Sequence, residues 1–151
     1  MPARFTGPYA SAGPYEDDEG DRYDVRLEKV PGGVRLAEWA AGQIRRRAPV
    51  LGADDLRAMI HDVRERAVLP ERDADALAEA VTAPGEGDGS SRGRSGDMQE
   101  ELRVERLDGD RVRIGRWILR PGAGWELQEA PVMLPADRYA EAIRGAALVG
   151  S

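Results

Sequence analysis

The chain has 151 residues, with 22 Lys plus Arg against 28 Asp plus Glu, a net charge of −6 and 41% hydrophobic residues. That is enough for one ordinary domain or two very small ones and excludes a large multidomain enzyme. The absence of cysteine excludes a disulfide framework, a thiolate metal site and a cysteine nucleophile, and the single histidine, His61, cannot build a histidine cluster.

In chain order, the opening MPARFTGPYASAGPY lacks the apolar stretch of a signal peptide, and no later run approaches the roughly 18 apolar residues of a membrane span. A soluble cytoplasmic protein is therefore expected. Residues 1–21 carry one basic and five acidic residues among Pro and Gly, the composition of a disordered acidic tail. Residues 22–69 hold ten basic and seven acidic residues. There Val25 and Leu27 alternate with Arg26 and Glu28, Pro31-Gly32-Gly33 turns the chain, and Val34 and Leu36 alternate with Arg35, which predicts a hairpin. The stretch Leu36–Ala48 reads either as a helix or as further strand. A short Pro49-Val50 strand and a helix with Leu56, Met59, Ile60 and Val63 on one face follow. An extra helix is expected in 70–83, with Ala74, Leu77, Ala78 and Val81 on one face, and the Gly/Ser-rich stretch 84–98 reads as a flexible linker.

Residues 99–151 repeat the first unit. Val25-Arg-Leu-Glu-Lys-Val through Trp39 matches Leu102-Arg-Val-Glu-Arg-Leu through Trp117, with one extra residue in the turn Asp108-Gly109-Asp110. Ala48-Pro-Val recurs as Ala130-Pro-Val, and Tyr139, Ala142, Ile143 and Ala146 repeat the helix stripe. Pro121 and two glycines bar a helix over Leu119–Trp125, which favours strand for the equivalent Leu36–Ala48. The expected fold class is α+β, with two β-β-β-β-α units at 22–69 and 99–151. Each unit is too small to hold a core alone, so the two are expected to pack helix on helix as an intramolecular pseudo-dimer in a monomer.

The segments GGVRLAEW with APVLGADDLRAMI, and DRVRIGRW with APVMLPADRYAEAI, resemble the positive-cofactor-four family of single-stranded-DNA-binding transcriptional coactivators, in its short bacterial form. The resemblance covers about 47 residues of the first copy and 49 of the second. It implies curved antiparallel sheets that present strand ridges to single strands. The family's sheet arginine two residues before the tryptophan is replaced by Ala37 and Gly115. Its basic segment before the last strand is matched by Arg45-Arg46-Arg47 in the first copy, whereas the second has Glu126-Leu127-Gln128-Glu129.

The candidate nucleic-acid contacts are Arg35, Arg45, Arg46, Arg47, Arg113, Arg116 and Trp125. Guanidinium forks bind phosphate oxygens bidentately and release counterions, and an exposed indole stacks on bases. With one Lys beside 21 Arg, arginine abundance reflects coding bias and is weak support by itself. Trp39 and Trp117 are expected to be core anchors. No pair of carboxylates has an apolar setting suited to acid–base work, His61 reads as helix surface, and no phosphate-cradle motif is present, so neither catalysis nor a metal or cofactor is expected. Two functions follow: nonspecific single-stranded nucleic-acid binding, carried mainly by the first copy and weakened by the acidic tail, or a protein-interaction module in which the acidic tail serves a partner.

Overall fold

Alternation of apolar and polar side chains generates two related strand-rich halves in the computed structural model, which describes residues 8–83, 87–146 and 148. The first half runs β1 (Tyr9–Glu16), β2 (Arg22–Val30), β3 (Gly33–Ala40), β4 (Gln43–Ile44), β5 (Val50–Gly52) and α1 (Ala53–Glu65). After α2 (Glu71–Thr82), the second half repeats the order as β6 (Gly89–Ser95), β7 (Met98–Leu107), β8 (Arg111–Leu119), β9 (Trp125–Leu127), β10 (Val132–Leu134) and α3 (Ala136–Gly145). The result is a mixed α+β protein with antiparallel sheets and three helices. Leu36–Ala48 is not helical but holds the end of β3 and the short β4, with a turn at 41–42 and irregular chain over 45–48, and the β7–β8 turn is made by Gly109 and Asp110, both at positive φ.

The two sheets exchange strands. One has the order β1-β2-β3-β10, with β4 also on β3, and the other β5-β8-β7-β6, with β9 also on β8. Val132, Met133 and Leu134 of the second half thus lie opposite Leu36, Arg35 and Val34 of the first. Reciprocally, Val50, Leu51 and Gly52 of the first half lie opposite Arg113, Val112 and Arg111 of the second. Side chains lock both junctions. The buried Tyr139 hydroxyl lies 2.8 Å from the Val34 carbonyl oxygen and 2.9 Å from that of Val132, and burial pushes its pKa up. Tyr23 donates to the Val50 carbonyl oxygen at 3.0 Å, and Gly52 N–H donates to the Tyr15 hydroxyl at 3.0 Å.

One hydrophobic cluster fills the space between the sheets and helices, with residues from both halves. Leu56, Met59, Ile60 and Val63 of α1 and Tyr139, Ala142 and Ile143 of α3 are all buried, as the repeated stripe requires. The helix α2 buries Ala74, Leu77, Ala80 and Val81 and packs against both α1 and α3. The strongest helix contacts are therefore α1 with α2 and α2 with α3, so α2 takes the position where direct packing of α1 on α3 is expected.

Two segments expected to lack structure are strands, which gives each half five strands rather than four. Residues 1–7 of the expected 1–21 tail lie outside the described residues, but Tyr9–Glu16 pairs along β2. Its small residues Ala10 and Ala12 are buried, and Tyr15 packs on Tyr23 with ring centroids 5.4 Å apart. Backbone pairing and that burial offset the chain entropy that the acidic turn following the strand suggests. In the expected 84–98 linker, residues 84–86 lie outside the described residues, Gly89–Ser95 is the edge strand β6, and β7 begins at Met98. The glycines that read as flexibility serve close approach. A Cβ on Gly89 would overlap the Ala142 carbonyl oxygen of α3, and one on Gly93 would lie 2.5 Å from Nη1 of Arg138.

Gly89→Ala should therefore destabilise the protein by about 1–3 kcal/mol, the usual cost of overpacking, because the atom it meets is backbone. Urea unfolding of the variant checks this; an unchanged midpoint would mean that β6 does not pack on α3 as described.

Candidate nucleic-acid interface

Successive strand side chains point to opposite faces, so residues of one parity share a surface. In β3, Val34, Leu36 and Glu38 point inward, and Trp39 shares the outward face with Arg35. Trp39 and Trp117 are therefore half-buried residues on the outer faces and not core anchors; Glu38 continues the inward row. On each face one guanidinium lies near two aromatic rings, the second ring coming from β1 in the first half and from β9 in the second. In the first half the Arg26 guanidinium lies 4.6 Å from the ring centre of Trp39 and 4.6 Å from that of Tyr9, and Arg35 is 5.9 Å from Trp39. Arg26 pairs with Asp24 at 3.0 Å and Arg35 with Glu28 at 3.2 Å. In the second half Arg103 lies 4.4 Å from Trp117 and 5.2 Å from Trp125, and Arg113 is 5.9 Å from Trp117. Arg103 pairs with Glu101 at 2.8 Å and Arg113 with Glu105 at 3.2 Å. Cation–π contact and carboxylate pairing thus act together on each guanidinium.

Charge separates the two faces. The outward positions of β1, β2 and β3 hold Arg22, Arg26 and Arg35 against Glu16, Asp24 and Glu28, which balance. Those of β6, β7 and β8 hold Arg92, Arg94, Arg103, Arg111 and Arg113 against Glu101 and Glu105 alone. Arg94 is exposed and makes no ion pair among the described residues. This second face, with the half-buried indoles of Trp117 and Trp125, combines cationic excess with aromatic surface.

The seven residues chosen from sequence do not converge. Arg35 lies on the first face, and Arg113 and Trp125 lie on the second. Arg116 points to the opposite side of β8, where its Nε meets the buried Glu100 at 2.7 Å and Arg138 meets the same carboxylate at 3.0 Å. Arg45 and Arg47 are tied inward. Arg45 pairs with Asp17 at 2.7 Å and with Glu38 at 3.4 Å, and Arg47 pairs with Glu38 at 2.9 Å. Of the three-arginine run, only Arg46 is exposed and free of ion pairs among the described residues. At the two positions where the resemblance leads to an expected arginine, Ala37 is fully buried and a Cβ on Gly115 would meet Cδ1 of Leu127 at 2.6 Å, so Leu127 would have to move.

Sequence reasoning missed Arg26, Arg103, Arg92 and Arg94. For the first two a signal existed: between the repeats the outward positions Arg26/Arg103, Glu28/Glu105, Arg35/Arg113 and Trp39/Trp117 are identical, while the inward pairs Val25/Leu102, Leu27/Val104 and Leu36/Ile114 differ. For Arg92 and Arg94, reading the segment as a linker removed them from any surface.

Glu38 organises the rim of the first face. Its carboxylate is fully buried, accepts from Val50 N–H at 3.0 Å and faces Arg45 and Arg47, and desolvation holds its pKa above the ordinary 4.5 despite those partners. Asp17, held below its ordinary value by the Asp21 and Glu19 backbone N–H groups and by Arg45, anchors the acidic turn against this cluster. The geometry suits a binding surface. Among the described residues no group of three or more His, Asp or Glu side chains could hold a metal, and no helix is long and apolar enough to cross a membrane.

Glu38→Gln tests the cluster. With its folded pKa raised, Glu38 takes up its proton at higher pH in the folded than in the unfolded chain, so its contribution to stability is largest below 4.5 and is lost as pH rises through the folded value. The stability of wild type minus that of Glu38→Gln should accordingly fall as pH is raised from 4.5 toward neutrality, as followed by urea unfolding at each pH; a value that rises would contradict the buried setting. Comparison with protein-family models, curated proteins and solved structures finds no match to this chain.

Proposed function

We propose that the protein is a non-enzymatic module that holds single-stranded nucleic acid without sequence preference, as the resemblance to the coactivator family implies, in transcription or DNA maintenance in the cytoplasm. The observation that carries the reading is the second outer face, where five outward arginines stand against two glutamates beside Trp117 and Trp125. Guanidiniums supply the phosphate contacts and indoles the sequence-tolerant stacking that single strands use. The reciprocal exchange of β5 and β10 supports a monomeric pseudo-dimer, because each half completes the other's sheet within one chain.

In this reading the main surface is the second face and not the Arg45–Arg47 segment, since two of those three arginines already neutralise Asp17 and Glu38. A protein-interaction role is the second reading. It is supported by the charge balance of the first face, where Met133, beside Arg35, is 59% exposed, and by Ala37 and Gly115 at the positions where the resemblance leads to an expected arginine.

A gel shift with oligo-dT over a range of salt decides between them. Single-strand binding predicts retarded bands that weaken steeply with salt. Replacing Arg94 and Arg111, the exposed outward arginines of this face that make no ion pair among the described residues, together by Gln should lower the salt slope by about 1.4, at roughly 0.7 per phosphate contact, and replacing Arg45 to Arg47 should lower it less. Absence of any shift at low salt leaves the protein-interaction reading, and a larger loss from the Arg45–Arg47 variant would return the surface to the first half.

A further inference from the structure

On each outer face one guanidinium lies near two aromatic rings, and the faces differ in what happens if that arginine leaves. In the first half, Arg26 is the one ion-pair partner of Asp24 among the described residues, so its departure would strand a part-buried carboxylate. In the second half, Glu101 is only 11% exposed at its side chain and is held by two arginines, Arg103 at 2.8 Å on Oε1 and Arg92 at 3.2 Å on Oε2. When Arg103 leaves, Arg92 keeps Glu101 neutralised, and the penalty of a buried unpaired charge is avoided.

The indole beneath is also fixed differently. Trp117 Nε1 donates to Glu105 Oε1 at 3.0 Å, and Glu105 is itself held by Arg113. Trp39 Nε1 in the first half is buried without a hydrogen-bond partner among the described residues. Trp117 therefore keeps its orientation without Arg103, whereas nothing comparable anchors Trp39. Beside Trp117, Trp125 on β9 presents a second ring within 5.2 Å of the same guanidinium.

We propose that Arg103 is a displaceable cover over a preformed stacking platform made by Trp117 and Trp125. It occupies in the free protein the place that a nucleobase takes in the complex. On binding, the guanidinium moves from the indoles to a phosphate, a base stacks in its stead, and Glu101 stays paired through Arg92. This inference rests on the single-strand reading and specifies how that site is regulated: one cation–π contact is exchanged for base stacking, and the same side chain supplies the phosphate contact. Arg26, locked by its sole carboxylate partner, does not open in this way.

The experiment measures affinity of the full chain for a fluorescent oligo-dT by anisotropy, from low to high salt, for wild type, Arg103→Ala and Arg26→Ala, with the melting temperature of each. Arg103→Gln serves in place of the alanine variant if that variant does not fold. Removal of the cover should flatten the salt slope by about 0.7, one phosphate contact. At high salt, where phosphate contacts are screened, it should tighten binding about two- to fivefold, the worth of the lost cation–π contact. Arg26→Ala should not tighten binding. Tighter high-salt binding confined to the Arg103 variants supports the cover. Equal or weaker binding of those variants at every salt, with wild type still binding, overturns the cover and leaves the single-strand reading intact. No binding by wild type or any variant overturns both.

Discussion

The reciprocal placement of β5 on β8 and of β10 on β3 is the constraint from which the rest of the architecture follows. A strand of three residues cannot hold itself against a sheet edge by its own backbone bonds. Each is therefore reinforced by side chains from outside its sheet: Tyr23, Tyr15 and Glu38 grip β5, and Tyr139 grips β10. These clamps explain why polar groups lie deep in the structure. They also explain the fate of the Arg45–Arg47 run, which neutralises Glu38 at the clamp and has little left to offer a ligand. The helices obey the same requirement, with α2 filling the space between α1 and α3 and joining the two halves into one core.

What sequence periodicity made legible were the elements whose residues face a core. The β2–β3 and β7–β8 hairpins, the non-helical run from Leu36 through β4 and the three helices follow from alternation and from the four-residue stripe, because burial acts on each residue separately. The segments β1 and β6 escaped that logic. Ala10, Ala12, Gly89 and Gly93 are small because another element presses close to them, and small residues mimic the composition of unstructured chain. The strand exchange was equally illegible, since pairing β5 with β3 or with β8 satisfies the same apolar pattern.

The surface was read less well than the core for a related reason. A run of three arginines is conspicuous in one dimension, yet pairing distances show Arg45 and Arg47 turned inward, and Arg116 falls on the side of β8 opposite Arg113 by parity alone. The cationic face is assembled across strands, from Arg92 and Arg94 on β6 through Arg103 on β7 to Arg113 on β8. Adjacency of that kind exists only once register is known. The identity of Arg26 with Arg103 and of Trp39 with Trp117 was visible in the repeat, and its meaning became clear when both pairs proved to lie on outer faces.

The exchanged strands also divide the molecule into shared and private parts. Every inward residue of β5 or β10 packs against both halves at once, so a substitution there acts on the whole core. The outward rows carry no such obligation. One face holds a neutral balance of three acids and three bases while the other holds unmatched arginines, and both stand outside the common core. A single chain with two unlike outer faces can therefore carry different chemistry on each, a freedom denied to a symmetric dimer of identical chains, in which any alteration appears on both sides.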